Sequence, residues 1–149
     1  MRSLIVDAER TRETKSFLQS CLKKYYKFLH KAYGSEDYDR PVMFLQQSEV
    51  FARYDNFFKT HFEGERVVDI GCASGFFSIW ISMYAEKVIG FDINPKNLKS
   101  NRIMLKAAGR TNVEFMTMNA IDLTKDVILK NNINGVFWHK TCFGEMEQV

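Results

Sequence analysis

Val67-Val68-Asp69-Ile70-Gly71-Cys72-Ala73-Ser74-Gly75-Phe76-Phe77 is the stretch on which the reading of this 149-residue chain turns. A short β-branched run ends in an acidic residue, a loop of small residues follows, and an apolar helical pattern then begins. The pattern predicts a strand, a tight turn and the start of a helix. Such a turn offers bare backbone N–H groups and the positive end of a helix dipole to whatever lies above the strand, a geometry used by nucleotide-like ligands.

Downstream, strands alternate with helices. Arg66–Ile70 reads as the first strand, and its lack of alternation suits a strand covered on both faces. Gly75 to Ala85 reads as a helix with Phe76, Ile79, Trp80 and Met83 toward the sheet. Lys87–Phe91 is a second strand closed by Asp92, and Asn94-Pro95 is a helix cap followed by proline at the first helical position. That helix runs to about Ala108, with Leu98, Leu105 and Ala108 on one face and Gly109 as its stop. Val113–Met118 is a third strand, Lys125–Lys130 a short helix and Gly135–Trp138 a fourth strand. This order predicts an α/β fold, a Rossmann-like doubly wound parallel sheet with right-handed crossovers. Ligands in such sheets bind past the carboxyl ends of the strands. Asp69 to Gly75, Asp92, Asn119 and the residues after Trp138 all fall at those ends, which packing alone would not require.

Upstream, residues 1–8 read as a lead-in and Ala8 to Tyr33 as an amphipathic helix with Leu18, Leu22, Tyr25 and Leu29 on its apolar face and Gly34 as its stop. Pro41 suits the first turn of another helix, whose apolar face includes Val50, Phe51, Tyr54, Phe57, Phe58 and a partly buried His61. Residues 1–63 therefore form an N-terminal helical extension and residues 64–149 the core. Five lysines and no acid lie between Lys15 and Lys31, and Lys23, Lys27 and Lys31 form one stripe. That stripe is either the solvated face of the helix, the commoner case, or a surface for RNA, DNA or an acidic partner.

The apolar fraction of 46% is enough for a packed core, and a net charge of +3 is too mild to argue for nucleic acid by itself. The three cysteines, Cys21, Cys72 and Cys142, are scattered and suggest neither a disulfide framework nor zinc. A cytoplasmic setting is expected, with no apolar leader and no membrane span.

A dinucleotide fold wants Gly-x-Gly-x-x-Gly. Here Phe76 stands in place of the third glycine, and a carboxylate at Asp69 would repel a pyrophosphate. A carboxylate suits a cationic ligand, and S-adenosylmethionine carries an ammonium and a sulfonium but no phosphate. With Asp69-Ile70-Gly71-Cys72-Ala73-Ser74-Gly75, then Asp92 ending strand two, then Asn119-Ala120 after strand three, the sequence resembles the class I S-adenosylmethionine-dependent methyltransferases. The resemblance covers about Arg66 to Trp138. It implies that Asp69, Gly71, Cys72, Ala73, Gly75 and Phe76 approach the methionine end of the cofactor. It further implies that Asp92 holds the ribose hydroxyls, Ile93 lies on the adenine, Asn119 and Ala120 meet the adenine edge, and Trp138 is among the cofactor-binding residues. Asn119 stands where the family usually has Asp, and Ala73 departs from the middle glycine, so the loop is expected to avoid a positive φ there.

Methyl transfer from a sulfonium is an in-line displacement that needs a base only if the acceptor loses a proton. His139 is the candidate base, although a residue so placed more often shapes the pocket, and Cys142 is more readily an incidental thiol than a nucleophile. The family's sheet has seven strands and only four are visible here, so the chain reads as a fragment or a reduced form with an apolar fourth-strand edge open to self-association. Two alternatives stay open: a non-catalytic cofactor-binding module and, less favoured, a nicotinamide-dependent oxidoreductase. The methyl acceptor, small molecule or RNA, is not named by any motif.

Overall fold

The computed structural model describes residues 2–33, 45 and 47–139. Two helices, α1 (Arg2–Tyr33) and α2 (Ser48–Phe62), precede the sheet. There follow β1 (Arg66–Ile70), α3 (Phe76–Ser82), β2 (Lys87–Asp92), α4 (Asn97–Ala108), β3 (Val113–Thr117), a 3-10 turn (Ala120–Asp122), α5 (Lys125–Lys130) and β4 (Gly135–Trp138). The strands are parallel in the order β3-β2-β1-β4. The order reverses between β1 and β4, and Asp69 pairs with Gly90 on one side and Phe137 on the other. This is the Rossmann-like α/β arrangement the strand–helix rhythm predicts.

The two faces of the sheet are buried differently. On one, Val67 and Val88 pack under α1, α2, α3 and α4 in a single cluster with Leu18, Leu22, Phe51, Phe58, Ile79, Trp80 and Met104. Trp80 stacks on Phe51 with ring centroids 4.4 Å apart. On the other face, Val68, Ile70, Ile89 and Phe91 are covered by Met116, Met118, Ala120, Leu123 and Ile133. Double coverage is why β1 shows no alternation.

One buried carboxylate ties the helices together. Asp55 of α2 accepts hydrogen bonds from Trp80 Nε1 (2.9 Å), Tyr84 OH (2.6 Å) and Thr11 Oγ1 (3.3 Å), with Arg10 Nε 3.8 Å away. A buried carboxylate persists only when its oxygens are so satisfied.

Several expectations are corrected. There is no lead-in, because α1 already begins at Arg2. His61 is exposed, its ring 4.5 Å from that of half-exposed Phe57. The buried face of α2 runs through Phe51, Asp55, Phe58 and Phe62 and leaves His61 one step round the helix. The inner face of α4 is Asn101, Met104 and Ala107, while Leu98, Leu105 and Ala108 are only half-buried. An apolar count passes over Asn101, whose amide is spent on a loop described below. Helix α3 ends at Ser82, short of Ala85. Gly109 ends α4 as expected, donating its N–H to Leu105 O. The proposed stop at Gly34, the helix start at Pro41 and Cys142 lie outside the described residues. Among the described residues no helix is long and apolar enough to cross a membrane.

Candidate functional site

The loop after β1 is fastened at both ends. Gly71 N and Cys72 N both donate to Phe91 O of β2 (2.9 and 3.0 Å), and Gly75 N donates to Cys72 O (2.8 Å). Gly75 adopts φ 91°, and a Cβ there would fall 2.5 Å from Cζ of Phe115, so the ring lies directly against its backbone. Contrary to expectation, Ala73 takes a positive φ of 47°. That conformation costs a non-glycine residue about 1–2 kcal/mol. Two side chains compensate: Ala73 N donates to Asp92 Oδ2 (3.1 Å), and Asn101 Nδ2 donates to Ala73 O (2.7 Å). The methyl group is thus accommodated by clamping the residue from β2 and α4.

Asp92 ends β2 half-buried, and its other oxygen, Oδ1, accepts from Asn94 N (3.0 Å). Asn94 Oδ1 in turn accepts from Lys96 N (3.0 Å), but this closes a turn ahead of the helix. Helix α4 begins only at Asn97, with Lys96 as its N-cap and no side-chain capping bond, so the cap expected at Asn94 and the first helical position expected at Pro95 are both corrected. Each carboxylate oxygen keeps a further lone pair for a ligand. Beside it Ile93 is 51% exposed, too open for a side chain that merely fills a core. Asn119 Oδ1 accepts from Ile121 N (3.2 Å) and so caps the 3-10 turn that Ala120 begins, while Ile121 is 81% exposed. Trp138, at the end of β4, is 41% exposed. The carboxyl ends of the strands therefore carry an exposed apolar rim around one half-exposed carboxylate. The side chains of Cys72 and Phe76 turn inward and are buried, so their backbone is what faces the loop.

Asp69 lies beneath the loop, 2% exposed, and accepts a 2.6 Å hydrogen bond from Ser78 Oγ. Burial pushes its carboxyl up to about 7, against the lowering effect of Ser78 and with a smaller upward push from Asp92. Because ionisation is penalised only in the folded state, this group's stabilisation is full below its ordinary value of 3.8 and is lost as pH rises through about 7. Asp69→Asn removes the titration. Between about pH 4 and pH 7 the parent is therefore expected to lose stability toward urea relative to the variant, by on the order of 1 kcal/mol per pH unit. Parallel pH profiles for the two proteins would refute the assignment.

His139 sits just past β4, its ring 4.9 Å from Phe77 and its Nε2 3.2 Å from Tyr54 OH. The structure brings Asp69, the loop, Asp92 and Ile93 together, with Asn119–Ala120 at the neighbouring strand end. Four contributors escape the sequence reading: Asn101, Ser78, Phe115 and Tyr54. Asn101 alone left a signal, a polar residue in register with Met104 and Ala107 on a helix.

Residues 61–149, more than half of the chain, match the family model described as a methyltransferase domain. Over 87 residues the chain is 34% identical to a Methanocaldococcus jannaschii protein provisionally named a ribosomal RNA large subunit methyltransferase, covering 57% of this chain and 22% of that one. Over 76 residues it is 38% identical to the ribosomal protein L11 methyltransferase of Vibrio campbellii, covering 48% of this chain and 26% of that one. The chain thus spans about a quarter of the length of these curated relatives. Among solved structures, an rRNA methylase from Streptococcus thermophilus superposes with a TM-score of 0.49 at 18% identity, over 58% of this chain and 47% of that one. The chain belongs to the methyltransferase domain family, in its class I, Rossmann-like form.

Proposed function

We propose that this chain binds S-adenosylmethionine at the carboxyl ends of β1 to β3 and serves a methyltransferase that acts on an acceptor outside its own motifs. Residues 64–149 are its cofactor-binding core and residues 1–63 its helical extension. The observation that carries the reading is Asp92, a half-exposed carboxylate at the end of β2 between a clamped small-residue loop and the exposed Ile93. Two oxygens with spare lone pairs match two vicinal hydroxyls, and an exposed isoleucine matches the flat face of a purine. Phe76, buried where a dinucleotide loop has its third glycine, disfavours a pyrophosphate in the same loop, whereas Asp69 lies beneath the loop and does not face the ligand. The bound cofactor supplies a methyl group already activated on a sulfonium. The chain's own residues then orient it: the loop through its backbone, Asp92 through the ribose, and Ile93 with Asn119 through the base. His139, held by Tyr54 and Phe77, stands next to the end of β4 and is the candidate to receive a proton if the acceptor must lose one.

A second reading, a non-catalytic cofactor-binding module, draws support from β4, which is the sheet edge among the described residues, with Val136 and Trp138 exposed. Calorimetric titration with S-adenosylhomocysteine and, separately, with NAD tests the cofactor. S-adenosylhomocysteine is expected to bind and NAD not, and binding of NAD alone would overturn the proposal. Methyl transfer from labelled cofactor into RNA, protein or small-molecule fractions supports the enzyme, whereas binding without any labelling favours the module.

A further inference from the structure

Charge is unevenly distributed in this chain. Residues 14–33 and 96–112 together hold ten of its 21 basic side chains and none of its 18 acidic ones, so the rest carries 11 against 18, a net −7. The fold brings these two stretches together, because α1 and α4 form the most extensive helix–helix contact in the described structure. Lys106 Nζ lies 4.9 Å above the ring of Phe28, which joins the two helices' basic stripes. Lys24, Lys27 and Lys31 on α1 and Lys99, Arg102 and Lys106 on α4 are all exposed. Lys23 is exposed as well, but Lys15 leaves the group, lying 5.9 Å from the centroid of Phe51 on the α2 side. Arg110 also turns inward, donating to Ser82 O (2.7 Å).

We propose that this α1–α4 face binds the phosphate backbone of duplex RNA, as a surface separate from the cofactor site. The occupant follows from what the face offers and lacks. The exposed large apolar side chains of the described structure are Phe57, Ile93, Ile121, Leu129, Val136 and Trp138, none of them on α1 or α4. Among the described side chains the face therefore has no exposed apolar wedge for a lipid surface and no exposed aromatic or aliphatic anchor for a protein interface. Phe28 is half-buried beneath Lys106, so it offers no open ring on which unpaired bases would stack. Point charges without anchors suit a regular polyanion. Two helices side by side span about 20 Å, so the face cannot insert into the deep B-DNA major groove as a single helix does and must lie across a shallow surface. The wide, shallow minor groove of A-form RNA and its flanking phosphates accept a flat slab of this kind. Helix α4 has 12 residues, about 18 Å of length, and starts just past Asp92. A duplex on this face therefore reaches the rim of the strand-end site.

Fluorescence anisotropy of the full chain without cofactor tests the surface, using a 20-base-pair RNA duplex, the matching DNA duplex and single-stranded RNA. Binding to the RNA duplex is expected to weaken roughly 40–150-fold between 50 and 200 mM salt, the slope for about three or four phosphates neutralised. Lys27→Gln/Lys99→Gln/Arg102→Gln is expected to lower affinity at least 10-fold and to flatten the slope. Arg53→Gln/Lys125→Gln/Lys130→Gln, with the same change in net charge elsewhere, is expected to preserve both, and circular dichroism confirms that each variant is folded. Absence of salt-dependent RNA binding, equal weakening by the control set, or tighter binding to the DNA duplex, the single strand or anionic vesicles would each overturn the proposal. Because binding is read without cofactor, its failure is distinct from failure of the methyltransferase reading.

Discussion

Gly90→Ala is expected to lower the unfolding free energy by about 2–3 kcal/mol, near the upper end for forcing one extra carbon into a packed interior. Gly90 lies in the middle of β2, opposite Phe115 of β3. An added Cβ would stand 2.7 Å from Ser78 Oγ and 2.8 Å from two carbons of the Phe115 ring. Neither neighbour has an easy retreat. Ser78 is fully buried and holds the Asp69 carboxyl, so displacing it leaves a buried acid without its donor. The Phe115 ring is also pressed against Gly75, whose own Cβ position it overlaps. Urea denaturation would show the loss as a lower midpoint at unchanged slope. Adding Phe115→Leu to Gly90→Ala is expected to recover part of it. A Gly90→Ala protein within about 0.5 kcal/mol of the parent would show that the notch is not closed.

Asp92→Ala is expected to weaken S-adenosylhomocysteine binding about 100-fold. Two charge-assisted hydrogen bonds at roughly 1.5 kcal/mol each give that factor. The same substitution deprives Ala73 N of its acceptor, so the loop loses one of the two bonds that hold its left-handed residue. Asp92→Asn separates the contributions. It keeps one oxygen for Ala73 or Asn94 but removes the charge and one acceptor, and is expected to lose about 10-fold. Calorimetry on both variants, with thermal unfolding to show that each is folded, checks the ordering. Parent-like affinity in Asp92→Ala would remove the ribose assignment.

The sheet is legible in the sequence because parallel strands buried on both faces leave short β-branched and aromatic runs bounded by glycine and acids. β4 falls at Gly135–Trp138 as read, and β1 at Arg66–Ile70. Asp69, Asp92 and Asn119 are legible as strand-end residues because a polar side chain at such a position needs a reason. What holds them is less visible. Asn101 is 28 residues from Ala73, and Phe115 is 40 from Gly75, so no local pattern connects them. The positive φ of Ala73 depends on those distant partners, and a propensity argument made at Ala73 alone points the other way. His61 fails for a related reason: a broad apolar helix face does not say where its centre lies, and the core set that centre at Phe58.

Asp55 bears on how the chain is made. Synthesis delivers α1 and α2 before α3, so this carboxyl emerges before Trp80 and before Tyr84, the donors of its two shortest hydrogen bonds. Until those residues follow, the N-terminal helices have an acid at the centre of their future interface and no apolar sheet to close upon. The N-terminal helices therefore gain the two shortest hydrogen bonds of their shared carboxyl only from residues that are translated after the first strand and the clamped loop.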